Sequence, residues 1–275
     1  MNSTHVDQMS AGMFAGSIPE IYEGYLVPLI FKPYAQDIAS RVASHTPRNV
    51  LEIAAGTGVV TRRLAAVLPT AAISATDLNQ PMLDHAAAIG TSRPVEWRRA
   101  DAMELPFGDA TFDAVVCQFG VMFFADKQRA FAEARRVLRP GGHLFFNAWD
   151  RIEDNEFANL VTNALAEHFS DGPPRFLARV PHGYHDTSVI AHDLALAGFS
   201  NPAKVATVAA QSRAESANVP AVAYCQGTPL RNEIEARGSH RLIEATNAVR
   251  AHLTRRFGAR RIVGRIQAHV VVAQK

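Results

Sequence analysis

With 275 residues, 48% of them hydrophobic and 20% charged, the chain can bury a substantial core, which excludes a disordered or low-complexity protein. A formal net charge of +2 does not demand a nucleic-acid partner. Its two cysteines, Cys117 and Cys225, form no Cys-x-x-Cys pair, so we expect no metal or redox site.

The N-terminal segment, residues 1–45, is predicted to be a helical lid. Within it, the pattern of Phe31–Ala43 predicts an amphipathic helix that leads into the first strand. The first residues lack the basic start and apolar stretch of a signal peptide, and no apolar run is long enough to span a membrane. The sequence therefore favours a cytoplasmic protein with no membrane partner.

Apolar segments alternate with helical patterns across residues 46–150. The predicted strands are Asn49–Ile53, Ala72–Asp77, Val95–Arg99, Phe112–Gln118 and His143–Trp149. The predicted helices are Val60–Leu68, Pro81–Ile89 and Lys127–Leu138, the last one ended by Arg139-Pro-Gly-Gly142. This alternation predicts an α/β fold, a doubly wound parallel sheet with helices on both faces.

The alternation weakens in residues 151–275, which we expect to complete the sheet and to add substrate-cap insertions. Helical patterns and apolar or alternating strand patterns both occur there. The predicted helices are Glu153–Phe169, Ser188–Ala197 and Ile243–Phe257, and the predicted strands are Ala203–Ala210 and Gln267–Val272.

The most informative segment is Val50-Leu-Glu-Ile-Ala-Ala-Gly-Thr-Gly58, which joins the first strand to a helix. The small residues Ala54, Gly56 and Gly58 let the backbone bend and let a ligand lie against it. The strand-end acid Glu52 can face a positive group, which favours a cationic, non-phosphorylated cofactor. A dinucleotide site is less favoured because the third glycine of Gly-x-Gly-x-x-Gly is absent.

Polar residues follow each of the next three strands. Asp77 is placed to bind ribose hydroxyls. In the Asp101–Met103 segment, the carboxylate can accept a hydrogen bond from an adenine amino group, and a backbone amide can donate one to the adenine ring. Gln118 and Phe119 lie where the reactive end of a cofactor would point. Each alone could be a cap or core residue, but together at the carboxyl ends of successive strands they predict a ligand site.

In these segments the chain resembles the class I S-adenosylmethionine-dependent methyltransferases, in the quinone-biosynthesis-like branch (methyltransferase type 11) that acts on small molecules. The matching segments, in chain order, are Leu51–Gly58, Ala75–Leu83, Asp101–Phe107, Phe112–Gly120 and Arg136–Gly142. Five such segments in order are strong evidence. The chain departs from the family pattern at Ala54, where glycine is common, and at Glu52, where aspartate is commoner.

The resemblance implies a Rossmann-like sheet of seven strands, mostly parallel with an antiparallel last strand, and S-adenosyl-L-methionine as the cofactor. It implies cofactor roles for Glu52, Gly56, Gly58, Asp77, Leu78, Asp101, Ala102 and Gln118. Four further residues of these segments complete the predicted set there, namely Ala54, Met82, Met103 and Phe119. Tyr25, from the predicted lid, is added because its hydroxyl could bind the cofactor carboxylate.

The hypothesis for function is methyl transfer by in-line displacement to a small acceptor that is apolar or aromatic. Phe119 and Val121–Phe124 make the pocket apolar, and Met13, Phe14, Tyr22 and Tyr25 are candidate lid residues. No catalytic base is assigned, although His168, His182 and His185 follow the cofactor segment. The alternatives are an NAD-dependent oxidoreductase and a non-catalytic S-adenosylmethionine-binding protein.

A nucleic-acid substrate is disfavoured because the Asp/Asn-Pro-Pro-aromatic motif is absent after the fourth strand. One contrary signal is the segment from Ala245 to the end, which has no acid and is rich in arginine. It is either a solvated surface or a region that meets an anionic substrate or partner. The oligomeric state is not fixed by the sequence, which is compatible with a homodimer.

Overall fold

The computed structural model describes residues 16–238 and 240–275. The strands are β1 Asn49–Glu52, β2 Ala72–Asp77, β3 Glu96–Arg99, β4 Phe112–Gln118, β5 Leu138–Trp149, β6 Lys204–Ser216 and β7 Arg260–Gln274. The first helices are α1 Ile18–Ile21, a π-helical stretch Tyr22–Phe31, α2 Lys32–Ala43, α3 Val59–Val67, α4 Gln80–Ile89 and α5 Lys127–Val137. The later helices are α6 Glu156–His168, α7 Phe176–Arg179, α8 Thr187–Leu196, α9 Asn218–Gln226, α10 Leu230–Glu235 and α11 Arg241–Phe257.

The strands form one seven-stranded sheet in the order β3-β2-β1-β4-β5-β7-β6 across the described residues. The pairs β2–β3, β1–β2, β1–β4 and β4–β5 are parallel, whereas β5 and β7 pair antiparallel. This confirms the predicted Rossmann-like sheet with its antiparallel last strand. Strand order reverses between β1 and β4, and ligands of such sheets bind at the carboxyl ends of the strands there.

Helices α2 and α3 cover one face of the sheet. Ile38 from α2 and Leu64 from α3 are fully buried, and they share an apolar cluster with Val50, Val116 and Phe145 from the strands. Burying such a side chain contributes about 1.5–3 kcal/mol, so the face beneath these helices is firmly packed. Cys117 of β4 has no exposed surface, so its thiol is part of the core.

Contacts divide the chain into two compact units, and this division differs from the three predicted segments. Among the described residues, the first unit comprises 16–32, Asp150–Gly183 and Ala209–Gln267. The second comprises Pro33–Trp149, Tyr184–Val208 and Ala268–Lys275, and it contains α2 because that helix packs on the sheet. The functional roles given to the three segments stay predictions.

The strand prediction was wrong by several residues in three places, and β1 and β3 are each one residue shorter than predicted. β5 begins at Leu138 rather than His143, because Gly141 donates its amide to Lys275 and Gly142 accepts from that residue. These bonds extend the ladder through the Arg139-Pro-Gly-Gly142 segment, which the sequence predicts only as the end of the preceding helix. β6 and β7 are also longer than predicted, and α9 and α10 lie where no element was assigned.

Of the candidate lid residues, Met13 and Phe14 lie outside the described residues. Tyr22 stacks on Phe31 with ring centroids 5.1 Å apart, and Tyr25 is 37% exposed. None of the helices in the described part of the chain has both the length and the apolar character needed to cross a membrane.

Candidate functional site

Four polar side chains lie on one face of the sheet at the carboxyl ends of adjacent strands. Glu52 is in register with Ala75 of β2 and Val116 of β4, while Gln118 is in register with Asn147 of β5. Side chains alternate along a strand, so Asp77, two residues after Ala75, shares this face with Glu52, and Gln118 and Asn147 share it as well. We call Asp77, Glu52, Gln118 and Asn147 the polar row.

The glycine turn between β1 and α3 has the strained backbone that its composition predicts. Ala54, Gly56 and Gly58 have φ values of +54°, +56° and +80°. A Cβ atom on Gly58 would lie 2.9 Å from the Trp97 ring, so glycine is required there by both conformation and space. The departure at Ala54 leaves the turn intact, with an alanine held in the left-handed region.

The Asp77 carboxylate ties the glycine turn to the end of β2. Its Oδ2 accepts from the Gly56 amide at 2.8 Å, and its Oδ1 accepts from the Asn79 amide at 2.8 Å and from Asn79 Nδ2 at 3.3 Å. A carboxylate offers about four acceptor positions, so about one remains for a ligand. Burial raises the pKa of Asp77, and these hydrogen bonds oppose that rise.

Glu52 is almost completely buried, at 1% exposure. Its Oε2 accepts a 2.6 Å hydrogen bond from the Thr61 hydroxyl on α3. Burial raises the pKa of Glu52 from 4.5 to about 8, with Thr61 and the Arg62 charge opposing. The polar partner of Glu52 is therefore the Thr61 hydroxyl rather than a cation. With a pKa of about 8, the carboxyl is largely protonated at neutral pH in the absence of a bound cation.

The loop after β3 presents the segment predicted to meet adenine. Asp101 Oδ1 accepts a hydrogen bond from the Met103 amide at 2.8 Å. This bond caps a local turn, which is the structural alternative to a ligand role for Asp101. Arg129 of α5 donates to the Met103 carbonyl at 2.8 Å, and the Asp126 amide lies 3.4 Å from its sulfur. Ala102 is buried at 9% exposure.

Two residues of α5 hold the rest of this loop. Arg136 donates to the Leu105 carbonyl at 2.9 Å and to the Phe107 carbonyl at 2.8 Å, and Glu133 accepts from the Leu105 amide at 2.8 Å. The Arg136–Glu133 pair, with an N–O distance of 2.7 Å, lowers the pKa of Glu133. The sequence placed Arg136 in a matching segment without predicting this structural role.

Buried polar atoms without partners accumulate near the polar row. Within the described residues, Gln118 Oε1 and both side-chain atoms of Asn147 have no hydrogen-bond partner. Thr57 Oγ1 in the glycine turn and Asn79 Oδ1 after β2 share this property. Leaving such an atom unpaired costs about 1–3 kcal/mol, so this edge of the sheet is suited to a polar ligand.

Asn147 was missed by the sequence analysis. It is fully buried near the end of the apolar run Leu144-Phe-Phe-Asn-Ala-Trp149 in β5. A single amide in such a run was available as a signal, because buried polar side chains are normally paired or functional.

Phe119 follows β4 with a φ of +54°, a conformation that is rare for an aromatic residue. Its ring stacks on Trp149 with centroids 3.8 Å apart and an interplanar angle of 6°. Tyr34 of α2 packs edge-on against both rings, with centroid distances of 5.3 and 5.4 Å. This aromatic wall closes the β4–β5 end of the polar row.

Three predicted residues have less specific surroundings. Met82 on α4 is buried at 3% exposure. Leu78 is half-buried, and its carbonyl accepts from Arg99 at 3.0 Å. Tyr25 belongs to the other compact unit, where it lines a cavity with Arg213 and Arg261, and its cofactor role stays a prediction.

Comparison with known proteins gives the family. Residues 51–146 match the family described as methyltransferase domain. Demethylmenaquinone methyltransferase of Deinococcus radiodurans is 40% identical over 108 residues, which cover 38% of this chain and 45% of that protein. The protein of the same name from Mycobacterium tuberculosis is 35% identical over 162 residues, which cover 56% of this chain and 67% of that protein.

The chain belongs to the class I S-adenosylmethionine-dependent methyltransferases. The matched segments span about half to two thirds of these relatives. The fold is shared with phosphoethanolamine N-methyltransferase 2 of Haemonchus contortus in complex with phosphomonomethylethanolamine and S-adenosylhomocysteine. That similarity has a TM-score of 0.57 at 16% identity and covers 100% of this chain and 59% of the other.

The cofactor of this methyltransferase is S-adenosyl-L-methionine, and the residues present fit it. The left-handed glycine turn lets a ligand approach the backbone, and the polar row offers the carboxyl groups of Glu52 and Asp77 together with the free Gln118 oxygen. Asp101 Oδ1 is engaged by Met103, so its second oxygen is the atom suited to an adenine amino group.

Proposed function

We propose that this methyltransferase transfers a methyl group to a small quinone-type aromatic acceptor. The observation that carries the proposal is the polar row at the strand-order reversal, bounded by the glycine turn on one side and by the Phe119–Trp149 stack on the other. The relatives named demethylmenaquinone methyltransferase support this acceptor class.

S-adenosylmethionine, when bound, would supply a methyl group on a sulfonium, and the neutral thioether S-adenosylhomocysteine would be the leaving group. We propose that Glu52 and the glycine turn hold the methionine part, Asp77 the ribose and the Asp101–Met103 segment the adenine. Because the leaving group is good, the main task of the chain is to position the acceptor in line and to exclude water. No residue is assigned as the base that takes the proton of the acceptor.

We propose that Asn147 recognises the acceptor. Its amide has one donor group and one acceptor atom, both unpartnered within the described chain, and Gln118 in the neighbouring strand has a further free oxygen. A reduced quinone ring carries hydroxyls that both donate and accept hydrogen bonds, so it can pair with the Asn147 amide and the Gln118 oxygen.

A cytoplasmic location of the enzyme is part of the same proposal.

The function is tested by incubating the purified protein with S-adenosylmethionine and a panel of reduced quinones, phenols and amines, while S-adenosylhomocysteine formation is measured. We expect turnover with the reduced quinones. Asp77→Ala should reduce cofactor affinity at least about tenfold, because the Gly56 and Asn79 amides lose their common acceptor. Cofactor binding without turnover on any acceptor would contradict the proposal.

Replacing Asn147 with leucine separates the roles of this side chain. We expect Asn147→Leu to raise the Tm of the ligand-free protein, because two unpaired buried atoms are removed at similar volume. The same variant should lower kcat/KM for the acceptor about tenfold or more while leaving S-adenosylhomocysteine affinity unchanged.

Asn155→Leu is the matched control. Asn155 is also buried, at 2% exposure, but its amide donates to the Asp150, Arg151 and Gln267 carbonyls. This change should lower the Tm. If Asn147→Leu destabilised the protein as much as Asn155→Leu, the Asn147 amide would be a structural group rather than a recognition group.

A further inference from the structure

A second cavity lies in the sheet-containing unit, on the side of α2 that faces β6 and β7. Its volume is about 410 Å³, within the range of small-ligand sites. The floor is apolar: Val205 of β6 and Val272 of β7 offer accessible surface, whereas Phe145 of β5 and Val270 of β7 are themselves almost completely buried. Val205 is 41% exposed, so part of this floor is open to solvent.

The rim of this cavity is basic. Arg41, His45, His143 and Lys204 line it, and no acidic residue of the described chain does. Arg41 is already neutralised, because its guanidinium donates to both carboxylate oxygens of Asp37 at 2.6 and 3.1 Å. The lysine and the two histidines are therefore the groups that can meet a ligand charge.

The two histidines form a pair over the apolar floor. Their ring centroids are 4.4 Å apart, and the His45 ring packs edge-on against Phe145 with a centroid distance of 5.1 Å. His45 Nδ1 lies 3.0 Å from the Arg41 carbonyl, which leaves its Nε2 as the outer polar atom. Burial is the main cause that lowers the pKa of His143, and the neighbouring His45 and Lys204 lower it further, so an anion bound between these groups would raise it again.

This cavity is distinct from the polar row. His143 is in register with Ala114 near the start of β4, whereas Asn147 is in register with Gln118 at its end. Four residues along a strand correspond to about 13 Å. The cavity therefore lies toward the amino ends of the parallel strands, opposite the edge that holds the cofactor residues.

We propose that this cavity is a binding site for a small organic anion, in which a carboxylate or phosphate meets Lys204 and the His45–His143 pair while an apolar body covers the floor. The volume accommodates a single aromatic ring with a short substituent. The site is separate from the methyl-transfer site and goes beyond the proposed function, since its occupant is neither the cofactor nor the acceptor.

The experiment uses the full chain saturated with S-adenosylhomocysteine, with histidine ring signals followed by NMR. The probes are benzoate, phenyl phosphate, phenol and inorganic phosphate. We expect saturable shifts of the His45 and His143 signals, and a rise in the His143 pKa, with benzoate or phenyl phosphate. Whichever of these two binds more tightly identifies the preferred head group. Phenol and inorganic phosphate should bind more weakly, because each lacks one half of the recognised chemistry.

Lys204→Gln should weaken binding of the better probe about fivefold, the effect expected for one partly exposed charge pair. Arg250→Gln removes the same charge from an exposed arginine outside the cavity and should change nothing. The proposal is overturned if neither ring-bearing anion saturates, if inorganic phosphate binds as tightly as phenyl phosphate, or if the two substitutions weaken binding equally.

Discussion

Gly120→Ala should lower the free energy of unfolding by about 1–3 kcal/mol and the Tm by several degrees. A Cβ atom added to Gly120 would lie 2.5 Å from Cβ of Ala54 and 2.7 Å from Sγ of Cys117. The φ of Gly120 is −98°, which alanine adopts without strain, so the effect arises from steric overlap. Urea or thermal unfolding monitored by circular dichroism measures it, and cofactor affinity should fall as well, because Ala54 belongs to the glycine turn.

A double-mutant cycle identifies the cause. Ala54→Gly removes one of the two clashing atoms and also relieves the left-handed alanine, so the double variant should recover part of the lost stability. Recovery should be partial because Cys117 stays in place. Gly108→Ala is the control, since its new Cβ would meet only Thr111 Oγ1 at 3.6 Å. If Gly120→Ala and Gly108→Ala had the same Tm, the glycine turn would be able to shift and accommodate the added methyl group.

The second large effect concerns pH. The ligand-free protein should lose stability as pH rises from about 5 to about 8, and Glu52→Gln should remove much of this dependence. The folded pKa of Glu52 is about 8, against an ordinary value of 4.5. Between these values the folded state holds a proton that the unfolded state has released. The free energy of unfolding therefore falls by up to about 1.4 kcal/mol per pH unit for this one group.

The direction in which stability changes with pH distinguishes Glu52 from acids with a lowered pKa. Its contribution is fully present below 4.5 and is lost as pH rises through about 8. Glu133 has a lowered pKa through its Arg136 pair, so its contribution is present at neutral pH and is lost in acid. Glu133→Gln is therefore the control, because it should change the pH dependence of stability in the opposite direction. Asp77, whose pKa is also raised, should leave a residual slope in the Glu52→Gln variant.

Two measurements check the Glu52 prediction. The first is Tm between pH 5 and pH 9 for the wild type and for both variants. The second is calorimetry of S-adenosylmethionine binding in buffers of different ionisation enthalpy, where wild type should release a proton near pH 7 as the ligand ammonium ionises Glu52. A Tm profile that is flat from pH 5 to pH 9 in the wild type would contradict the assignment.

The central strands could be predicted closely because their sequences leave few alternatives. Ala72–Asp77 and Phe112–Gln118 have the same bounds in the sequence and in the structure. Both are mainly buried, as expected for inner strands of a parallel sheet, and turn signals flank them. The polar residues at their ends, Asp77 and Gln118, could be placed at one edge by the same reasoning.

The full lengths of β6 and β7 and the contacts of the site could not be predicted, although strands were expected within both segments. β6 alternates exposed and half-buried residues over much of its length, so its hydrophobic pattern is weak and its extent depends on pairing with β7. The role of Arg136 depends on the packing of α5 against a loop distant in sequence. Asn147 is detectable in the sequence only as one amide in an apolar run, and its place beside Gln118 depends on the register of β4 and β5.

The three hydrogen bonds that converge on Asp77 form as the chain folds. The carboxylate is therefore preorganised: its orientation is fixed before any ligand binds, and the entropy cost of ordering this side chain is met on folding rather than on binding. Because Gly56 is one of the donors, the backbone of the glycine turn is fixed by the same event. The orientation of Asp77 and the shape of the turn are thus one cooperative unit, and the ribose role proposed for Asp77 would gain affinity from it at some expense of conformational adaptability.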